Sequence, residues 1–267
     1  MCINKLNKQK MEENKERIIL GLDLSTACIG VSLVKYDGEN FDILKVSHVK
    51  PKVPNKIKGT EALFYKAKIF KEQFIQKNIG IGITDVVIEE PLPTSPHTRG
   101  ISTLLRFNGM LSQSIYEATG IVPVYISSYD ARKYAFPELM AVRKFNKNEE
   151  IYPLAKLRKA IKNNELVLFG GYPFSCQKKY ILWNKISEMY PYIEWEYDKK
   201  GELTTENFDA SDSLICIIGQ IEKEKYEGDE PKIIKFDEET IEGKEKITKF
   251  TYTVSFCGKE FEKTLDV

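Results

Sequence analysis

The chain has 267 residues, of which 42% are hydrophobic and 30% charged, and its net charge is +1 at pH 7. This composition is ordinary for a soluble globular protein, and the length allows one well-buried domain with a small appendage. Residues 1–16 are polar and mixed in charge, which predicts a disordered tail, and they lack the apolar segment of a secretory signal. The apolar runs elsewhere in the chain are shorter than the ~18–20 residues that a membrane-spanning helix needs.

Three apolar or alternating segments follow the tail and are separated by short turns. They are IILGLDL at 18–24, VSLVKY at 31–36 and FDILKVSHV at 41–49. Three consecutive strands with tight connections predict an antiparallel meander. Apolar residues at helical spacing then predict a helix over 60–77, with Thr60 at its N-cap.

The second part of the chain alternates between strands and helices. DVVIE at 85–89 predicts a buried strand that ends before Pro91, because proline cannot donate to a sheet. A helix is predicted over 101–119 and a strand over 122–126, and two more helices are predicted over 176–190 and 209–222. This order predicts an α/β fold in which three antiparallel strands precede parallel strands in one mixed sheet, flanked by helices.

The end of the chain has a different character. Residues 247–256 alternate between apolar and polar types, and Cys257-Gly258 predicts a turn. We therefore expect a main domain over 17–222, and a charged linker with a small β-hairpin appendage over 223–267.

The five cysteines are scattered, and none has CxxC spacing. This pattern disfavours a disulfide framework and a structural zinc site, and it indicates a cytosol-like compartment.

Four carboxylates stand out as candidates for catalysis. Asp23 and Glu89 each end an apolar strand, where a charge is costly without a partner. Asp209 and Asp212 are three residues apart and project from one face of a helix. Four carboxylates balance two Mg²⁺ ions, which prefer oxygen ligands and can promote hydrolysis of a phosphodiester.

Three of the four acids also have ordinary structural explanations, whereas Asp23, with Gly21, Leu22 and Leu24 around it, is harder to explain in that way. Asp209 alone is more often a helix N-cap than a metal ligand, and Asp212 is typical of the first turn of a helix, where a negative charge is favourable. Either Glu89 or Glu90 could be a surface acid, since only one of two successive strand residues faces a given side.

A basic segment lies between the predicted strand 122–126 and the next helix. Residues 143–162 hold seven basic residues against two acidic ones. This excess suits a phosphate backbone, and charge alone is equally compatible with a solvated helix face. The candidate phosphate contacts are Lys156, Arg158 and Lys159.

The acidic motifs resemble those of the RuvC-like Holliday-junction resolvases, in both order and spacing. The matching segments are IILGLDLSTACIGVSLV, VVIEEP and FDASDSLICII, and LLRFNGMLSQSIYEATGIVPVYIS follows the family's helix and strand. The resemblance covers roughly 17–136 and 174–222 and leaves residues 137–173 as an insertion. This insertion and the extra segment after 222 resemble those of viral branches of the family.

The resemblance implies an RNase H-like fold and assigns roles to residues. Asp23, Glu89, Asp209 and Asp212 would hold two Mg²⁺ ions, with Mn²⁺ able to substitute. Further contacts to DNA would come from a lysine pair before the last helix and from the loop after Glu89. The candidates are Lys178, Lys179, Leu92, His97 and Arg99.

The resemblance further implies an endonuclease acting on branched DNA. A homodimer would cut four-way junctions and leave 5′-phosphate and 3′-hydroxyl ends, in the cytoplasm of a cell or of a viral host. Flaps, replication forks and RNA–DNA hybrids are alternative substrates. Two further classes of protein remain open. One is a DNA-binding protein without catalysis. The other is a sugar- or acetate-kinase-like phosphotransferase, because the segment GLDLSTACIG also resembles the phosphate-binding loop of those enzymes.

Overall fold

A computed structural model describes residues 16–91, 98–140, 178–242 and 246–266. The chain forms two compact units: unit 1 comprises residues 1–127 and 182–217, and unit 2 comprises residues 128–181 and 218–267. Within the described ranges, no helix combines the length and apolar character needed to cross a membrane. The predicted tail over 1–16 lies outside the described residues except for Glu16.

A five-stranded mixed sheet forms the centre of unit 1. Its strands are β1 (Arg17–Leu24), β2 (Ile29–Tyr36), β3 (Phe41–Val49), β4 (Asp85–Glu90) and β5 (Val124–Ser127). The spatial order is β3-β2-β1-β4-β5. Strands β1, β2 and β3 pair antiparallel, whereas β4 pairs parallel with both β1 and β5. The predicted α/β class and the mixed sheet are therefore confirmed.

Helices flank this sheet. They are α1 (Gly59–Phe70), extended by a π-turn at Lys71–Ile75 and a short turn at Gln76–Asn78, α2 (Thr98–Thr119), α4 (Lys178–Met189) and α5 (Glu206–Lys225). The predicted N-cap at Thr60 is wrong, because α1 already begins at Gly59 and the capping position is Lys58, which makes no side-chain cap hydrogen bond.

Alternation along the strands gives the sheet two distinct faces. Leu20 and Leu22 belong to a buried cluster that includes residues of α1 and α2. Gly21, between them, faces α5 instead. Successive strand residues point to opposite sides, so this parity determines which side each acidic residue can reach.

Unit 2 contains α3 (Ser128–Ala135) and a three-stranded antiparallel sheet. The strands are β6 (Lys232–Glu242), β7 (Lys246–Phe256) and β8 (Lys259–Asp266). The predicted hairpin corresponds to β7 and β8, with Cys257 and Gly258 both at positive φ in the turn. The prediction missed β6 because this strand is rich in charge and resembles a linker. The appendage is therefore a three-stranded sheet rather than a hairpin.

An ion pair ties the first residues of two parallel strands together. Arg17 donates to both carboxylate oxygens of Asp85, at 3.1 and 2.8 Å. Burial of Asp85 raises the pKa of its carboxyl, but hydrogen bonds from Arg17 and Thr84 outweigh this effect and hold the pKa below its usual value. The bidentate geometry fixes β1 beside β4.

We expect Asp85→Asn to lower the free energy of unfolding by about 1 kcal/mol at pH 7. A carboxyl whose pKa is depressed on folding stabilises the protein above its unfolded pKa of ~3.9, and this contribution is lost as the pH falls through the folded pKa. Urea denaturation from pH 7 to pH 3 measures it, with the exposed Asp42→Asn as the control. A difference between wild type and Asp85→Asn that stayed constant at all pH values would contradict the assignment.

Candidate metal site

Three carboxylates from three different elements converge in unit 1. One oxygen from each of Asp23, Glu89 and Asp212 lies within 4.8 Å of the other two. Asp212 is buried, with 7% of its surface exposed, while Asp23 and Glu89 are half-buried. Such a concentration of negative charge away from bulk water favours a bound cation.

The parallel pairing of β1 and β4 brings the first two acids together. Leu22 is the register partner of Ile88, so the next residues, Asp23 and Glu89, lie side by side, each one residue before the end of its strand. Both share the parity of Gly21, and therefore lie on the α5 face of the sheet. Glu90 has the opposite parity, which resolves the choice between Glu89 and Glu90 that the sequence left open.

Helix α5 supplies the third acid because glycines let it approach the sheet closely. A Cβ on Gly30 would lie 1.9 Å from the backbone oxygen of Asp209, and one on Gly21 would lie 2.3 Å from that of Ser213. The hydroxyls of Ser32 and Ser213 lie 2.7 Å apart in a buried hydrogen bond. These contacts fix the height and rotation of α5, and hence the position of Asp212.

Long-range bonds hold the beginning of α5. The Asn207 side chain accepts from the backbone N–H of Glu196 at 3.0 Å and donates to its carbonyl at 2.6 Å. Lys50 pairs with Glu206, and their hydrogen bond raises the pKa of Lys50 and lowers that of Glu206. Because α5 begins at Glu206, Asp209 lies inside its first turn and the N-cap interpretation is wrong.

Asp209 lies one helical turn before Asp212 and is not a member of the group within 4.8 Å. Its carboxylate accepts a hydrogen bond from the Cys28 thiol. Burial, together with this bond, raises the pKa of Cys28 to about 12. In the metal-free protein Cys28 is therefore a protonated thiol at neutral pH.

The three grouped carboxylates fit a hard divalent cation. Mg²⁺ binds oxygen ligands at ~2.0–2.1 Å in octahedral geometry, so two ligands of one ion are ~2.9 Å apart when adjacent and ~4.2 Å apart when opposite. Carboxylate oxygens within 4.8 Å of one another are near enough to bind one ion after their side chains move toward it. Asp23, Glu89 and Asp212 would hold the ion, and the partial exposure of Asp23 and Glu89 leaves one side open to water.

Most of the remaining predicted contacts cannot be placed. Leu92, His97, Lys156, Arg158 and Lys159 lie outside the described residues. Arg99 and Lys178 belong to the first turns of α2 and α4, but their side chains are not described. Lys179 is exposed in the first turn of α4 and belongs to unit 2.

Several supporting residues gave no local signal in the sequence. Ser32 and Ser213 are 181 residues apart, and Asn207 and Glu196 are separated by a polar loop. Gly30 is the one that could have been found, because a small residue in a central strand is typical of close backbone approach.

The fold and the acidic group define an α/β protein with a candidate divalent-metal site. No protein-family model and no curated protein matches this chain. RuvC of Thermus thermophilus aligns with a TM-score of 0.44 and 10% identity, over 76% of this chain and 92% of that chain.

Two further solved structures align less well. T. thermophilus RuvC in complex with a Holliday junction substrate gives a TM-score of 0.38 at 13% identity, over 45% of this chain and 72% of that chain. The PPX-GPPA enzyme of Aquifex aeolicus gives 0.32 at 8% identity, over 66% of this chain and 64% of that chain. Similarities this low carry no functional argument, which must come from the site itself.

Proposed function

We propose that this protein is a metal-dependent endonuclease of the RNase H-like type. The convergence of Asp23, Glu89 and Asp212 within 4.8 Å carries the proposal, because three separate elements hold oxygen ligands at the end of two parallel strands. Among the chemistries that the sequence suggests, phosphodiester hydrolysis makes the most direct use of such a group.

Bound divalent ions would supply an activated water and stabilise the leaving oxygen. The chain's own contribution is positional: Asp23 lies on β1, Glu89 on the adjacent β4, and Asp212 on the helix packed over them. We propose that Asp209, one turn away, completes the ligands of a second ion. Rigid strands and a closely packed helix suit such a site, since activity depends on precise placement of ligands.

The substrate part of the proposal rests on the resemblance of the sequence motifs. We propose that a homodimer cleaves branched DNA, four-way junctions in particular, and leaves 5′-phosphate and 3′-hydroxyl ends. Exposed Lys179, with Lys178 and the basic segment 143–162, would contact the phosphate backbone. Flaps, forks and RNA–DNA hybrids would require the same chemistry, so substrate geometry is the property to measure.

Cleavage assays test the proposal directly. Labelled four-way junction, flap, fork, linear duplex and RNA–DNA hybrid should be incubated with the protein and Mg²⁺, Mn²⁺ or chelator. We expect metal-dependent cleavage that is fastest on the four-way junction, and sedimentation as a dimer. Absence of metal-dependent cleavage on every substrate would refute the proposal, whereas preference for a flap or hybrid would change only its substrate.

Replacing Lys156, Arg158 and Lys159 together by alanine should weaken binding to every DNA shape by a similar factor. Each lost phosphate contact should also reduce the slope of log K against log salt by ~0.9, because fewer counterions are released. Fluorescence anisotropy between 50 and 300 mM salt measures the slope, with alanine at the exposed lysines Lys199 and Lys200 as the control. An unchanged slope would assign the basic segment to solvent.

A further inference from the structure

A small cavity lies on the opposite face of the sheet from the carboxylate group. It has a volume of about 320 Å³ and is lined by Glu90, Pro91, Leu105, Asn108, Gly109 and Tyr125. Glu90 follows Glu89 directly and has the opposite parity, so the two carboxylates point to the two sides of the same strand end. The volume is at the small end of the range for ligand sites.

The cavity wall contains a buried amide with an unsatisfied donor. Asn108 is only 3% exposed, and its Oδ1 accepts from the Tyr125 hydroxyl at 3.1 Å. Among the described residues, its Nδ2 has no hydrogen-bond partner. A buried N–H group without a partner is costly, and a ligand that accepts from it removes that cost.

Neighbouring bonds hold this amide in place. The Tyr125 hydroxyl lies 2.5 Å from the Ser112 hydroxyl, which also donates to the Asn108 carbonyl at 2.8 Å. Helix α2 and edge strand β5 are therefore joined around the cavity by a small polar network. The amide is preorganised, which reduces the entropy that a ligand must lose on binding.

The charge and shape of the lining restrict the ligand. The Glu90 carboxylate disfavours a phosphate and can accept from an amino group. Pro91, Leu105 and the Tyr125 ring provide apolar surface suited to a flat ring. An asparagine amide pairs with two atoms on the edge of adenine, and enzymes bind extruded bases by such pairing together with stacking.

We propose that this cavity binds one unpaired nucleobase that carries an exocyclic amino group, next to the phosphodiester that is cut. The inference rests on the proposed nuclease function and adds a base-binding subsite to it. A strand crossing the end of β4 would place its phosphate on the Glu89 side and the base of a neighbouring nucleotide on the Glu90 side. Thymine, which lacks an amino group, would bind less well than adenine.

Coupling between the protein and individual bases tests the inference. On a DNA that the wild type cleaves, each nucleotide near the mapped cut is replaced in turn by thymine or an abasic site, and kcat/KM is measured with Mg²⁺. At one position we expect base removal to lower the wild-type value about tenfold. Asn108→Leu should lower kcat/KM about tenfold on the natural DNA. Its kcat/KM should then be no lower on the abasic DNA than on the natural DNA.

Two more variants secure the interpretation. Leu105→Ala alters the cavity at a half-exposed position, so it should fold even if Asn108→Leu does not, and it should show coupling to the same nucleotide. Gln113→Ala changes an exposed side chain of the same helix outside the cavity lining, and it should change kcat/KM by less than twofold. If, at every position, the fold-loss in kcat/KM caused by the protein variant and the fold-loss caused by base removal simply multiply, the inference is overturned. The proposed nuclease function would still stand. Absence of cleavage by the wild type would refute the proposed function, and the inference with it.

Discussion

Replacing any one of the three grouped carboxylates by its amide is expected to lower cleavage activity by at least ~100-fold. Asp23→Asn, Glu89→Gln and Asp212→Asn each remove one negative charge and one ligand from a group whose oxygens lie within 4.8 Å. Metal ions displaced from their positions no longer stabilise the transition state, although the binding of DNA should survive. Asp209→Asn should also lower activity, because we propose that it binds a second ion.

Single-turnover cleavage with Mg²⁺ measures this loss, and binding measured in Ca²⁺ separates it from a failure to bind DNA. The matched controls are Asp42→Asn on β3 and Glu61→Gln on α1, both exposed acids away from the group. They should retain wild-type activity within about twofold. Near-normal cleavage by two of the three grouped variants would show that these acids do not form the active site.

Gly30→Ala should be among the most damaging substitutions in the sheet. Its Cβ would lie 1.9 Å from the Asp209 backbone oxygen, so the first turn of α5 must move away from the sheet. We expect a loss of about 3 kcal/mol in unfolding free energy, at the upper end for overpacking. Cleavage should fall ~100-fold even where the protein remains folded, because a shift of ~1 Å in catalytic groups has that effect.

Denaturation and cleavage by the same preparation measure both effects. Gly80→Ala is the matched control, because a Cβ at Gly80 meets nothing within 4 Å. It should change stability by no more than about 0.5 kcal/mol. If Gly30→Ala were as stable and active as the control, the close packing of α5 on β2 would not be what positions the acids.

The elements that sequence predicted best are those with a strong local pattern. Strands β1 and β3 were predicted within a residue, because apolar runs bounded by turn residues are local signals. The beginning of α5 was placed at Asp209 rather than Glu206, because its first turn is polar and is held by distant partners such as Glu196 and Lys50. Strand β6 was missed because its charged residues offer no apolar alternation.

In the candidate site, too, features with a local sequence signal could be predicted, whereas features that depend on distant contacts could not. Asp23 and Glu89 could be recognised as acids at strand ends, and their proximity follows from parallel pairing alone. The cavity around Asn108 could not be predicted, because it depends on how an edge strand meets a helix. The side-chain bond between Tyr125 and Asn108 exists only in the folded chain.

Metal-dependent stability tests the central claim most directly, because it requires neither DNA nor cleavage. Thermal unfolding of wild type, Asp23→Asn, Asp212→Asn and the control Asp42→Asn should be compared in chelator and in Mn²⁺. In chelator, Asp23→Asn should be as stable as wild type or ~1 kcal/mol more stable, since one of several mutually repelling charges is removed.

Adding Mn²⁺ at ~100 times its dissociation constant should stabilise wild type and Asp42→Asn by about 2.7 kcal/mol, because the ion binds only the folded state. Asp23→Asn and Asp212→Asn should gain much less. An equal response to Mn²⁺ in all four proteins would contradict the account, because the three carboxylates would then not be a metal site.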